Sequence, residues 1–226
     1  MYNFAFEGGA VGLRNGTLIV DTKASVKFSH NSAGATGSGG AIWLYYGMLT
    51  VTVNASLNFN NDSWRCSHIN KINFHIDSDH FHPCNNRAIW GGAMFFSLAL
   101  MYINKSVKFV MNTARDYGGA IFIKDGIGPS IIVGNYSKLL LFNNTSFQGG
   151  ALSAGPSMTL SLGYQSTIKF INNTASDVGG AVYSFQFSSP CTFNITDCSA
   201  KVCFRGNCTK WHWSPYVWSK CKVFFV

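Results

Sequence analysis

The sequence predicts an all-β chain, a right-handed parallel β-helix (a solenoid) of about six coils, and three observations lead there. Gly-Gly-Ala followed by Val, Ile, Met or Leu occurs six times, with first glycines Gly8, Gly39, Gly91, Gly118, Gly149 and Gly179. In step with it, Phe28, Phe59, Phe109, Leu140 and Phe170 are each followed three residues later by Asn31, Asp62, Asn112, Asn143 or Asn173. The segments between are short and β-prone, such as Leu18–Val20, Leu49–Val53, Ile131–Val133 and Met158–Leu162, and show no helical period. Composition agrees. The 226 residues are 47% hydrophobic and 15% aromatic but only 12% charged, which excludes disorder. Gly occurs 23 times and Glu once, at Glu7, which argues against long helices.

Each element follows from stacking. A coil of about 30 residues cannot bury its apolar face alone, and coils stacked at roughly 4.8 Å place like residues over like. A strand opens at Ser25, Ser56, Ser106, Ser137 or Thr167, and its Phe or Leu forms an inner column. The Asn column then takes a corner, where amides satisfy turn backbone and can ladder between coils. The glycine pair supplies a tight turn with positive φ. Alternation after it gives a second inward set, among them Ile42/Leu44, Met94/Phe96, Ile121/Ile123 and Leu152/Ala154. The glycine spacings are 31, 52, 27, 31 and 30. The 52 reads as one period carrying an insertion at about residues 64–88, bracketed by Cys66 and Cys84, which are expected to form a disulfide closing it. Residues 1–188 are thus expected to be β-helix and 189–226 a Cys-rich, basic-aromatic end region. The first glycine pair precedes any complete coil, so a piece of a longer protein is expected.

Gly39-Gly40-Ala41-Ile42 with Phe28-x-x-Asn31, Gly118-Gly119-Ala120-Ile121 with Phe109-x-x-Asn112, and Gly179-Gly180-Ala181-Val182 with Phe170-x-x-Asn173 resemble the repeats of the chlamydial polymorphic membrane proteins. The resemblance covers roughly residues 8–185. It implies a surface-exposed, adhesin-like β-helix passenger.

Compartment is read from cysteines and sequons. Cys66 and Cys84 flank the expected insertion, and Cys191, Cys198, Cys203, Cys208 and Cys221 crowd the end region. That placement favours disulfides and an oxidising compartment. A zinc site in the end region is the alternative, although the tight Cys-x2-Cys knuckle is missing. Asn-x-Ser/Thr sequons at Asn15, Asn54, Asn104, Asn135, Asn194 and Asn207 are glycosylation candidates. Turn chemistry alone also wants Asn and Ser at such corners. An extracellular or cell-surface location is expected.

The formal net charge is +8, and residues 201–226 carry five bases and no acid. There Lys210, Trp211, Trp213, Tyr216 and Trp218 mix bases with aromatics and offer a secondary binding patch. The outward positions after the glycine pair include Trp43, Phe95, Phe122 and Tyr183, an aromatic row suited to sugar rings or a protein partner. An enzyme needs convergent carboxylates. Asp116 and Asp177 share a register position two coils apart, with no Arg or His column beside them and only scattered lysines on the faces. His75, Asp77, Asp79, His80 and His82 are metal-ligand candidates in the expected insertion. No cofactor fingerprint is present. The expectation is a non-enzymatic, adhesin-like or structural β-helix that binds glycans or extracellular proteins and no nucleic acid, with any membrane contact through a segment outside this chain. The alternative is a polysaccharide-acting lyase or glycosidase of the same architecture.

Overall fold

Stacked parallel strands account for every regular element of the computed structural model. It describes residues 4–7, 10–38, 41–60, 62, 67–76, 80–81, 83–124, 129–155, 158–184, 192–195, 201–205 and 224–225. The strands form an 8-stranded sheet, a 12-stranded sheet, and a third face in pieces of 4 and 2 strands. All three faces pair in parallel. The chain is a parallel β-solenoid.

One coil shows the plan. Ser106–Val110 lies in the 8-stranded sheet, Asn112 turns the chain, and Thr113–Tyr117 lies in the third face. Gly118-Gly119 turns it again into Ile121–Ile123 and then Pro129–Val133 of the 12-stranded sheet. Lys138 then begins the next coil, directly opposite Ser106. Inside, Phe59, Phe109, Leu141 and Phe170 fill the space between sheets with Ile42, Met94, Phe96, Ile121, Ile123 and Leu152. The Phe28 and Phe59 rings stack at 5.4 Å between neighbouring coils.

Register corrects two expectations. Leu140 is not an inner residue: it pairs with Lys108 and Lys169, while Leu141 pairs with Phe109 and Phe170 and is fully buried. The run Leu139-Leu-Leu141 hides this one-residue offset, and only stacking on Phe109 and Phe170 selects the residue that points inward. In consequence Asn144, not Asn143, enters the corner. Asn143 stands outside it at φ 54°.

The second correction concerns residues 64–88. The described residues among them are not a loop inserted in a coil. Ser67–Ile76 is a strand paired along Ile42–Val51 on one side, and with Met94–Ser97 and Leu100–Ile103 on the other. His80–Phe81 extends the 8-stranded sheet, Cys84 bridges Asn60 and Val110, and Arg87–Trp90 opens the 4-stranded piece of the third face. The stretch is a coil of its own that lacks the glycine pair. Parallel stacking demands only paired backbone and an apolar inside, which Ile76, at 0% exposure, helps supply. The glycine pair marks one kind of corner rather than the coil itself. The expected Cys66–Cys84 disulfide fails with the loop it was to close. Cys84 is a free thiol in a ladder corner, 3.6 Å from Asn60 Oδ1, and burial raises its pKa. Cys66 lies outside the described residues.

Candidate functional site

The asparagine corner is a continuous polar ladder inside the solenoid. Asn112 N and Nδ2 both donate to Asn144 Oδ1 at 3.0 Å, and Asn144 N and Nδ2 both donate to Asn173 Oδ1 at 2.9 Å. Each Nδ2 also reaches the backbone one coil back: Asn112 to Pro83 O, Asn144 to Phe109 O and Asn173 to Leu141 O. Asn86, which sequence reasoning missed, continues the column by donating to Asn112 Oδ1 and to Phe59 O. Its signal was present as Asn86-x-Ala88, matching Asn31-x-Ala33, Asn112-x-Ala114 and Asn173-x-Ala175. Asp62 stands in the same column and accepts from Asn31 N and Nδ2 at 2.8 and 2.9 Å.

The glycine corner is built differently, and it decides the fate of the expected aromatic face. Gly118 has φ +61°, and a Cβ on Gly119 would run into the carbonyl oxygen of Gly150 in the next coil. The bend brings the residue before the glycine pair against the outward residue after it. Tyr117 stacks on Phe122 at 5.3 Å, Trp90 packs on Phe95 at 6.0 Å, and Phe95 and Phe122 lie 5.4 Å apart. Register does place Trp43, Phe95, Phe122 and Tyr183 in one row, with His68 and Ser153 between them. Yet Phe95 and Phe122 are only 3% and 4% exposed. They form a closed seam that leaves almost no ring face open to solvent. Trp43 and Tyr183 remain half-buried at its ends, five strand steps or about 24 Å apart. Burial, Tyr117 and Asp177 raise the Tyr183 phenol. Trp90 and Tyr117 were missed, although both immediately precede a glycine pair.

The two carboxylates weighed for catalysis are both engaged. Asp116 accepts from Arg115 Nε at 2.8 Å and from Trp90 Nε1 at 3.2 Å, and the Arg115 hydrogen bond holds it below the ordinary carboxylate value. Asp177 accepts from Gln148 Nε2 at 2.7 Å. Of the metal candidates, His75 and His80 belong to two different ladder strands, and Asp77, Asp79 and His82 lie outside the described residues. So do Asn207, Lys210, Trp211, Trp213, Tyr216 and Trp218. Asn194 is on the strand Thr192–Ile195, which stacks on Thr159–Leu162, and Lys201–Arg205 stacks on Thr167–Ile171, so the ladder continues past residue 188. Asn15, Asn54, Asn104 and Asn135 are all exposed in turns.

The model of the Chlamydia polymorphic membrane protein repeat matches residues 25–45 and 167–184. Each matched stretch runs from a strand of the 8-stranded sheet through the asparagine corner and the glycine pair into the 12-stranded sheet. In this chain each stretch similar to the polymorphic membrane protein repeat thus spans two corners of the β-solenoid. No curated protein and no solved structure matches the chain.

Proposed function

We propose that this chain is a non-enzymatic β-helix of the cell surface or extracellular space, adhesin-like or structural, which presents repetitive outer faces to glycans or protein partners. In-register stacking carries the reading, because it sets each outward residue over its counterpart and so multiplies any weak contact along the axis. The repeat match supports a surface role. The engagement of Asp116 by Arg115 and Trp90, and of Asp177 by Gln148, supports binding over bond cleavage. A glycan array and a cell-binding assay, run beside a reducing-end release assay on the bound polysaccharides, test this. Binding without release is expected. Chain cleavage that Asp116→Asn or Asp177→Asn abolishes would instead make the protein an enzyme.

A further inference from the structure

Three lysines that look scattered in the sequence occupy one pattern on the outer face of the 8-stranded sheet. Lys27, Lys108 and Lys169 stand directly before an inner Phe, in Ser25-Val-Lys-Phe28, Ser106-Val-Lys-Phe109 and Thr167-Ile-Lys-Phe170, a position that holds Asn58 and Leu140 in other coils. Register aligns Lys108 with Leu140 and Leu140 with Lys169, while Lys138 lies opposite Ser106 and Thr167, one outward row over. Lys108, Lys138 and Lys169 therefore zigzag along the axis on three consecutive strands, with Lys108 and Lys169 about 10 Å apart. All three are exposed. Among the described residues none of the three makes an ion pair or side-chain hydrogen bond. By register, Lys201 stands opposite Thr167 on the next strand. The strands of this sheet contain no Asp or Glu. Beside the zigzag runs an apolar row, Val110, Phe142 and Ile171, each partly exposed.

We propose that this face is a binding site for a linear polyanionic polysaccharide lying along the solenoid axis, with sulfate or carboxylate groups on the lysines and pyranose faces on the apolar row. This rests on the reading of the chain as a surface β-helix that binds through its faces. Charge complementarity selects the ligand. The two-coil repeat of about 10 Å matches the length of a disaccharide in an extended glycan. Nucleic acid carries its charge far more densely, at about 3.4 Å per phosphate along one strand, and single-strand binding uses rows of stacking aromatics that this face lacks. A bilayer would meet a narrow ridge of charge without an amphipathic helix to insert.

The test uses the full chain and heparin. Wild type is expected to bind heparin at physiological ionic strength. The K108Q/K138Q/K169Q variant should elute at lower salt, and the slope of log Kd against log salt should fall by about one per lysine removed. Because these side chains are exposed, its melting temperature should not change. A control, R14Q/R87Q/K124Q, removes equal charge from other faces and should bind like wild type. The proposal is overturned by absent heparin binding, by equal loss in the control, or by tighter binding to a single-stranded oligonucleotide or to phosphatidylserine vesicles than to heparin. If the lysine variant keeps full binding to cells or to a glycan array, this site is wrong while the surface β-helix reading stands.

Discussion

At one corner of each coil the backbone turns on glycine; at the other, side-chain amides of asparagine hold the turn. The glycine corner binds coil to coil through main chain alone: Gly92 N donates to Gly118 O, Gly119 N to Gly149 O and Gly150 N to Gly179 O. The asparagine corner uses side-chain carbonyls as acceptors, from Asn86 to Asn173. The consequences lie on the outside. The tight glycine bend folds two outer faces together, so Trp90, Phe95, Tyr117 and Phe122 close on one another. The asparagine corner keeps its polar groups inside, and the strands beside it leave Lys108, Lys138 and Lys169 open to solvent. Periodic outward residues thus mean packing at one corner and display at the other.

The largest effect that can break this contrast is at the glycine corner. In Gly119→Ala the new Cβ meets the Gly150 carbonyl and lies 2.6 Å from Thr145 N, both fixed backbone atoms of the next coil. A loss of about 4 kcal/mol or more is expected in urea unfolding. A loss under about 1 kcal/mol would show that the coils can part there. Next is the seam. Phe122→Ala should cost about 3 kcal/mol or more, and its cycle with Tyr117→Ala should show coupling of roughly 0.5–1.5 kcal/mol. If Phe122→Ala unfolds like wild type but binds glycans less well, the seam is a ligand surface after all.

How far the sequence alone reaches depends on what each residue's partner is. Gly118-Gly119 and Phe109-x-x-Asn112 reveal the solenoid because their partners are copies of themselves. The strand Ser67–Ile76 stays hidden because backbone pairing holds it and leaves no residue signature, and its coil is marked instead by Asn86-x-Ala88. Leu140 is misread because three leucines in a row offer three equal registers until Phe109 and Phe170 select Leu141. The aromatic row is legible as a row. Its closure is not, because closure depends on the angle at Gly118 that carries Tyr117 onto Phe122. The lysine zigzag becomes visible only once register sets Lys138 between Lys108 and Lys169 on neighbouring strands.

The smallest effect sharpens the asparagine side. Asp62 replaces an amide in the ladder and is fully buried. Its neighbours in the column use Nδ2 to donate to the next residue's Oδ1 and to a carbonyl one coil back. An ionised carboxylate cannot donate, so Asp62 cannot reproduce those two bonds. Burial accordingly raises the Asp62 carboxyl above the ordinary 3.8, against the lowering effects of its hydrogen bonds from Asn31 and of nearby His30. A carboxyl with a raised pKa in the folded state holds its proton more tightly when folded. The stabilisation from that proton is complete below pH 3.8 and is lost as pH climbs through the raised value. Asp62→Asn supplies a permanent donor and has no such proton to lose. The variant should match wild type in acid and exceed it by about 1–2 kcal/mol at neutral pH, read from urea unfolding across that range. If wild type instead gains on the variant as pH rises, Asn31 and His30 hold Asp62 ionised, and the ladder accommodates a charge where its pattern calls for an amide.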